Sequence, residues 1–243
     1  MNVDVAFIPP TAAPTDRTCI VIDVLRATSV IAVLMDKGMR RIYPTATVEQ
    51  ARQLRAELAS DGTDVFLLGE QGGLPPEGFD AGNSPTALEQ LSITAQIAVQ
   101  ATTNGTPALL ACEGAPLVMA AAPLNAAEVT RLTLEAGHDV LIVCAGLRGG
   151  FAEDDTLAAG LFVERLVLAG AHPSDTANEA LTRYEAARDN LADALRDTEH
   201  GRITVELGFD DDIELCGTTD RITRVAVLGT HEGRPALEPH NAD

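Results

Sequence analysis

A carboxylate and a guanidinium stand at the end of an apolar run near the N-terminus. The segment 19–25, CIVIDVL, is apolar except for Asp23, and Arg26 follows it directly. An aspartate at the end of a buried strand can hold a hard cation such as Mg²⁺, or it can cap the helix that follows. An arginine beside it can bind a phosphate or a carboxylate through parallel hydrogen bonds. The pair therefore indicates either a metal and anion site or a buried helix cap.

Polar residues also follow the next strand-like run. Glu70 ends the apolar segment 64–70, and a loop rich in glycine and proline then carries Asp80 and Asn83 up to Ser84. Glycine neighbours allow the backbone to approach a ligand closely. Ser84 also precedes a proline, which is the pattern of a helix N-cap. These residues are candidates for a site, although a single acid in a loop is weak support for one.

The segment 102–106, TTNGT, offers hydroxyls and an amide at a strand-to-helix turn. Asn104, Gly105 and Thr106 could bind an anion there through side chains and backbone N–H groups. Asn-Gly is also a common turn dipeptide, so a purely structural turn stays open. The segment does not match the phosphate-binding loop of nucleotide hydrolases.

A second arginine and three acids follow another apolar run. The segment 146–155, GLRGGFAEDD, carries Arg148 and then Glu153, Asp154 and Asp155. Acids in the first turn of a helix complement the helix dipole. Three acids beside an arginine exceed that need, so the pattern favours a cation site.

Other titratable residues do not suggest a site. The five histidines are scattered without metal-binding spacing, which disfavours a zinc hydrolase or a Ser-His-Asp triad. The acidic run 210–212 is interpreted as a solvated turn. The four cysteines form no close pair and are predicted to be buried free thiols.

Strand-like and helix-like segments alternate along the chain, which predicts an α/β fold with layered α/β/α architecture. We expect one domain over residues 1–243, with an organisation into two lobes left open. Helix caps are predicted at Thr28 or Ser29, at Thr47 and at Thr106, and the tail 221–239 is predicted to form a hairpin. Because ligands bind at the carboxyl ends of strands in α/β sheets, the polar residues above are expected to meet there.

Composition excludes several classes of function. The net charge of −19 disfavours a nucleic-acid-binding protein, which needs a basic surface. No apolar run is long enough to cross a membrane, and the N-terminus lacks the features of a signal peptide. A cytoplasmic location is therefore expected. An anionic ligand would need a local positive site against this background.

Four of these segments in the same order, VIDVLRATS, GEQGG…GFDAGNSP, TTNGT and CAGLRGGFAEDD, resemble the 2-phosphosulfolactate phosphatase family. The similarity extends through LGFDDDIELCGTTD and covers roughly residues 4–228. The resemblance implies a Mg²⁺-dependent phosphatase with an unusual α/β topology. The family reaction converts 2-phospho-3-sulfolactate to sulfolactate and phosphate, a step toward coenzyme M.

With this resemblance, the candidate residues take provisional roles from their chemistry. The expected catalytic carboxylates are Asp23, Glu70 and Asp154. The expected metal ligands are Asp23, Glu70, Asp80, Glu153 and Asp154. The expected substrate-binding residues are Arg26, Asn83, Ser84, Asn104, Gly105, Thr106 and Arg148.

Two chemical routes stay open: attack by water with a carboxylate as general base, or a covalent aspartyl phosphate. Water attack is favoured because Leu25 replaces the second aspartate of the usual aspartyl-phosphate motif. Another small 2-phospho-hydroxyacid stays open as the substrate, and so does a non-catalytic protein that binds an anionic metabolite. The expected partner is a small phosphorylated or sulfonated metabolite, not nucleic acid or membrane, and a homodimer stays open.

Overall fold

The computed structural model describes residues 1–240 and confirms the predicted α/β class. The strands are β1 (Asn2–Ala6), β2 (Thr18–Ile22), β3 (Arg41–Thr45), β4 (Val65–Gly69), β5 (Ile97–Ala101), β6 (Leu117–Ala121), β7 (Val140–Cys144), β8 (His172–Pro173), β9 (Ala226–His231) and β10 (Arg234–Pro239). The α-helices are α1 (Ala27–Asp36), α2 (Val48–Leu58), α3 (Pro85–Gln90), α4 (Gly105–Ala111), α5 (Ala126–Ala136), α6 (Glu153–Leu168), α7 (Asp175–Ala187), α8 (Leu191–Asp197), α9 (Glu199–Glu206) and α10 (Asp210–Gly217).

All of these strands join one mixed sheet in the order β4-β5-β3-β10-β9-β6-β2-β7-β1-β8. The strands β4, β5 and β3 are parallel to one another, and so are β6, β2, β7, β1 and β8. The antiparallel hairpin of β9 and β10 joins the two groups. Three antiparallel pairings lie between β3 and β6, so the two parallel groups run in opposite directions along the sheet.

The two groups repeat one arrangement about the central hairpin. In one, β5 lies between β3 and β4; in the other, β2 lies between β6 and β7. A helix joins β3 to β4 and another joins β6 to β7, and a tight turn follows β4 and β7 at 71–74 and 147–150. The segments DVFLLGEQGG and DVLIVCAGLRGG show this relationship in the sequence.

Sheet twist brings the two groups to one site. Neighbouring strands are rotated by roughly 20–25°, so the six steps between β2 and β4 rotate the strand direction by on the order of 120–150°. Strands β2 and β4 run in opposite directions in the hydrogen-bond ladder, and this rotation offsets most of that reversal. Their carboxyl ends therefore point toward the same side of the molecule.

Helices cover both faces of the sheet, in agreement with the predicted three layers. In β2, Ile20 and Ile22 pack into an apolar cluster with residues of α5, α6 and α7. Cys19 and Val21 point the other way, into a cluster with residues of α1 and α4. Each such aliphatic side chain contributes about 1.5–3 kcal/mol when it is fully buried. This packing fixes the positions of the loops that leave the sheet.

Several local predictions are confirmed. Thr47 caps α2 and Ser84 caps α3 through their side chains. The C-terminal hairpin forms, and the cysteines are buried and free. Within residues 1–240, no helix combines the length and the apolar character needed to cross a bilayer.

Other local predictions are wrong. The N-cap position of α1 is Arg26 rather than Thr28 or Ser29, whose hydroxyls bond back to the loop before the helix. Helix α4 begins at Gly105, one residue before the predicted cap. The short strand β1 was not predicted, because its charged Asp4 interrupts the apolar run. The acidic run 210–212 opens a helix, α10, and is not a solvated turn.

Candidate active site

A cavity of about 110 Å³ lies where the loops after β2, β4, β5 and β7 meet α9. Both parallel strand groups contribute to it. Its lining includes six of the residues predicted from the sequence, and it also includes one histidine that the sequence did not single out. The predicted residues are Asp23, Arg26, Glu70, Asn83, Asn104 and Arg148, and the additional one is His200.

Asp23 both stabilises the start of α1 and faces the cavity. Its backbone N–H donates to Thr28 Oγ1 (3.0 Å), and the Thr28 hydroxyl donates to the Asp23 carbonyl (2.9 Å). Its Oδ1 accepts a hydrogen bond from the Ala27 N–H at 3.2 Å. Burial raises the pKa of Asp23 to about 6, with His200 opposing the rise and Glu70 adding to it. The two interpretations of Asp23 from the sequence are thus both compatible with the structure.

Gly105, at the start of α4, packs closely against the side chain of Asp23. An ideal Cβ at Gly105 would lie 2.4 Å from the Ala27 Cβ and 2.6 Å from Asp23 Oδ2. Only glycine fits this contact, so α4 from one strand group packs directly against the carboxylate of the other. Gly105 is therefore placed beside the cavity as a packing residue; it does not line the cavity.

We expect Gly105→Ala to lower both the melting temperature and kcat/KM. The added methyl must displace α1 or Asp23, and overpacking of this kind costs about 1–3 kcal/mol. Gly229→Ala is the matched control, because a Cβ there meets no atom within 4 Å. Equal melting temperatures and equal activities for the two variants would contradict the close packing.

Glu70 joins two loops at the rim of the cavity. Its Oε2 accepts a hydrogen bond from the Gly73 N–H (2.8 Å), and its Oε1 accepts one from the Thr103 N–H (2.6 Å). These bonds fix the carboxylate without neutralising it. Each oxygen retains a further acceptor position, which can serve a cation or a water molecule.

Arg26 is held inside the protein by an ion pair that the sequence did not predict. Its Nη1 donates to Asp212 Oδ2 at 2.6 Å, and its Nη2 donates to the Gly73 carbonyl at 2.9 Å. The guanidinium lies 4.1 Å above the ring of Phe209. Asp212 is completely buried and also accepts hydrogen bonds from Ser84 Oγ (2.7 Å) and from Thr86. Arg26 therefore reaches the cavity as one half of a buried pair.

Arg148 is the exposed cation of the site. It occupies the first central position of a two-residue turn closed by mutual hydrogen bonds between Leu147 and Gly150 (3.0 and 2.9 Å). Its φ of 52° and the φ of 78° at Gly149 are the values of a type I′ turn. A non-glycine residue in this region is strained, which is common at functional sites. Among residues 1–240 no carboxylate pairs with Arg148, so its charge is available to an anion.

The two asparagines of the cavity are positioned differently. Asn83 is 4% exposed, and its Oδ1 accepts a hydrogen bond from Gln100 Nε2 at 3.2 Å. Its amide N–H₂ group therefore remains as a donor toward the cavity. Asn104 occupies the N-cap position of α4 without a side-chain cap hydrogen bond. Both side chains could contact an oxyanion.

His200 and Asp154 form a dyad at the wall of the cavity. His200 Nδ1 lies 2.9 Å from Asp154 Oδ2, and Asp154 is 1% exposed. Burial alone would lower the pKa of His200, but the hydrogen bond and charge of Asp154 raise it above its usual value. No spacing in the sequence indicated His200, because it lies 46 residues from its partner. Asp154 was predicted as a catalytic and metal-binding residue, whereas here its carboxylate supports the histidine.

Asp155 connects the loops after β2 and β7. Its Oδ1 accepts a hydrogen bond from the Val24 N–H (2.9 Å), and its Oδ2 accepts one from the Gly146 N–H (3.0 Å). Burial and the neighbouring Asp154 and Asp23 raise the pKa of Asp155 well above its usual value. The third acid of the run therefore fixes the backbone on both sides of the cavity.

Besides Gly105 and Asp154, four predicted site residues do not line the cavity. Ser84 caps α3 and donates to Asp212, and the Thr106 hydroxyl donates to the Thr45 carbonyl inside the sheet (2.7 Å). Asp80 accepts from the Leu67 N–H (2.8 Å) and pairs with Arg55. Glu153 pairs with Arg183 at 2.7 Å. Their polar groups are satisfied by the fold.

The carboxylate oxygens of the cavity fit the kind of magnesium site in which the substrate supplies some of the ligands. Among the described residues, 1–240, no three acidic, histidine or cysteine side chains converge on one point that could hold a metal. Asp23 and Glu70 are the carboxylates that line the cavity. Mg²⁺ is commonly bound by one or two carboxylates, with water and phosphate oxygens completing its octahedron. Asp23 and Glu70, which lie beside the groups that could bind an anion, meet this requirement. Asp80 and Glu153, which were also predicted as metal ligands, lie outside the cavity.

Comparison of the sequence with known proteins shows the family of this chain. The sequence model described as 2-phosphosulpholactate phosphatase matches residues 6–231. A protein of Thermotoga petrophila named probable 2-phosphosulfolactate phosphatase is 34% identical over 227 residues, 93% of this chain and 95% of the relative. A Deinococcus radiodurans protein of the same name is 36% identical over 234 residues, 94% of this chain and 95% of the relative. The chain belongs to the 2-phosphosulfolactate phosphatase family, a family of phosphoric monoester hydrolases.

Proposed function

We propose that this protein hydrolyses 2-phosphosulfolactate to sulfolactate and phosphate with the help of Mg²⁺. The observation that carries the proposal is one cavity in which two carboxylates, two arginines and a histidine converge from distant parts of the chain. Family membership supports the substrate class. A substrate with a phosphate, a sulfonate and a carboxylate requires several positive or hydrogen-bonding groups, and this cavity supplies them.

The arginines have different tasks in this proposal. Arg148 has no acidic partner among residues 1–240, so its full charge can bind an anionic group of the substrate. Arg26 is already paired with Asp212, whose negative charge offsets part of its positive charge, so the pair attracts an anion less strongly than Arg148 does. Arg26 therefore fixes the shape of the cavity and donates from a set position, while Arg148 supplies most of the attraction. Asn83 adds a neutral donor.

The carboxylates Asp23 and Glu70 would hold Mg²⁺, which polarises the phosphate when it is bound. Asp23 is buried and its pKa is raised to about 6, so it can also exchange a proton near neutral pH. Water held between these carboxylates and the phosphorus would lose its proton to one of them. Direct attack by water needs no covalent intermediate, and this route stays the preferred one.

Removal of divalent cations is expected to abolish phosphate release. The acidic pair and the dianionic phosphate repel each other without a cation between them, so the substrate should bind poorly. Protein treated with EDTA and then dialysed should recover its activity when Mg²⁺ is added. Full activity in EDTA would show that Asp23 and Glu70 work without a metal.

A panel of substrates tests the proposed function. We expect phosphate release from 2-phosphosulfolactate at a higher kcat/KM than from phospholactate or phosphoglycolate, because only the first substrate carries a sulfonate for a positive group such as Arg148. A higher kcat/KM for phospholactate or phosphoglycolate would move the function to another 2-phospho-hydroxyacid. Tight binding of 2-phosphosulfolactate without any turnover would indicate a binding protein.

A further inference from the structure

The imidazole of His200 has one nitrogen bound to the protein and one directed to the cavity. Nδ1 contacts Asp154 at 2.9 Å, and the side chain lines the cavity. Nε2 has no hydrogen-bond partner in the part of the chain that the structure describes, residues 1–240. The residue sits in the first turn of α9, whose N-cap Thr198 fixes the helix start. The second nitrogen is therefore held at the cavity by two elements of the fold.

Asp154 gives this histidine a defined protonation pattern. A buried carboxylate at Nδ1 holds the proton on that nitrogen and stabilises the imidazolium when Nε2 is also protonated. Asp154 itself is held by α6, which packs into the core beside it. The arrangement is that of a histidine prepared to give a proton from Nε2 toward the cavity.

The proposed reaction needs such a donor. The leaving group of 2-phosphosulfolactate is an alcohol, and its alkoxide is a strong base that leaves slowly unless it is protonated. Of the groups that line the cavity, Arg26 and Arg148 are assigned to the anionic groups of the substrate. Asp23 and Glu70 are assigned to the metal and the attacking water. His200, whose Nδ1 contacts Asp154 and whose side chain lines the cavity, remains as the group that can give a proton to the leaving oxygen.

We propose that His200, oriented by Asp154, is the general acid that protonates the leaving alcohol; this inference rests on the proposed phosphatase function. The water oxygen forms a bond to phosphorus while the bond from phosphorus to the ester oxygen breaks. The electron pair of that bond goes to the ester oxygen, which takes the proton from Nε2. The proton of the attacking water goes to a cavity carboxylate and returns to His200 through solvent. The products are the alcohol and inorganic phosphate, and no redox partner is required.

The test compares leaving groups on the same protein preparation. Wild type and His200→Asn are assayed with 2-phosphosulfolactate and phospholactate, whose leaving groups are alcohols. They are also assayed with phosphoenolpyruvate and 4-nitrophenyl phosphate, whose leaving groups are weaker bases. We expect the variant to lose about 10²-fold or more in kcat with the alcohol esters, and less than about tenfold with the other two. Unfolded protein would lower all four rates equally, so it cannot produce this difference.

Two further variants sharpen the comparison. Asp154→Asn keeps the shape but removes the charge beside Nδ1, so we expect the same selective loss in smaller degree. His172→Asn changes an exposed histidine of β8 and should match wild type with all substrates. Equal losses of His200→Asn with all four substrates would overturn the assignment. Failure of the proposed function is distinct from this, because it would appear as wild-type protein that releases no phosphate from 2-phosphosulfolactate.

Discussion

Replacement of Asp23 by asparagine is expected to lower kcat/KM for 2-phosphosulfolactate by about 10²–10⁴-fold in a protein that remains folded. The amide can still accept the hydrogen bond from the Ala27 N–H, so the start of α1 is preserved. The charge that would hold Mg²⁺ or accept a proton is lost. Affinity for Mg²⁺, measured by calorimetry with phosphate present, should fall together with the activity.

The same variant should be more stable than wild type when Mg²⁺ is absent. The pKa of Asp23 is about 6 in the folded protein against an ordinary value of 3.8, so ionisation of this group favours the unfolded chain. The wild type therefore loses stability as the pH rises through this window, and asparagine does not. At about pH 8 the difference should be on the order of 3 kcal/mol in favour of the variant.

Well below pH 3.8 Asp23 is protonated in both the folded and the unfolded states, so the gain of the variant should disappear there. Urea unfolding of both proteins in EDTA at several pH values measures this. If Asp23 were only a helix cap, the Asp23→Asn variant should keep its activity, because asparagine is nearly as good a cap. Activity close to that of wild type would exclude Asp23 from the metal and from catalysis.

Replacement of Arg26 by alanine is expected to cost about 3–5 kcal/mol in the free energy of unfolding. Arg26 and Asp212 are 4% and 0% exposed at their side chains, so loss of the arginine leaves a buried carboxylate without its counter-charge. Domains of this size are stable by only about 5–15 kcal/mol, so the variant should unfold at a much lower concentration of urea. The sequence indicated Arg26 only as a substrate-binding residue, and the buried pair with Asp212 adds a large contribution to stability.

Arg148→Ala serves as the comparison, because Arg148 is exposed at a turn and lacks an acidic partner among residues 1–240. It should weaken substrate binding and leave stability within about 0.5 kcal/mol of wild type. The double variant Arg26→Met with Asp212→Asn should recover part of the stability lost in Arg26→Ala, since no unpaired charge remains. An unchanged urea midpoint for Arg26→Ala would show that the buried pair does not stabilise the fold.

Local patterns in the sequence predicted the elements and the ends of the strands that carry the site. Asp23, Glu70 and Arg148 follow apolar runs, and the carboxyl ends of those runs do meet at one cavity. In a flat sheet, the carboxyl ends of β2 and β4 would lie at opposite edges, so the strand pattern alone does not explain why these residues meet. Strands β2 and β4 run in opposite directions, and the twist of the whole sheet turns their ends to one side.

The contacts between distant segments were not predictable. His200 and Asp212 lie in polar helices whose sequences are typical of solvent-exposed surfaces, and only tertiary packing brings them to Asp154 and Arg26. Conversely, Asp80 has the residue type of a metal ligand but binds the backbone of β4 instead. A carboxylate in a loop has many acceptable partners, and its sequence neighbours do not decide among them.

Phosphorus NMR of 2-phosphosulfolactate tests the central claim most directly. The substrate is mixed with wild-type protein and Mg²⁺, with wild-type protein in EDTA, and with Asp23→Asn and Mg²⁺. We expect the phosphate ester resonance to be replaced by that of inorganic phosphate in the first sample, with only trace conversion in the other two. An ester resonance that persists in the first sample, or equal conversion in all three, would contradict a Mg²⁺-dependent phosphatase site built around Asp23.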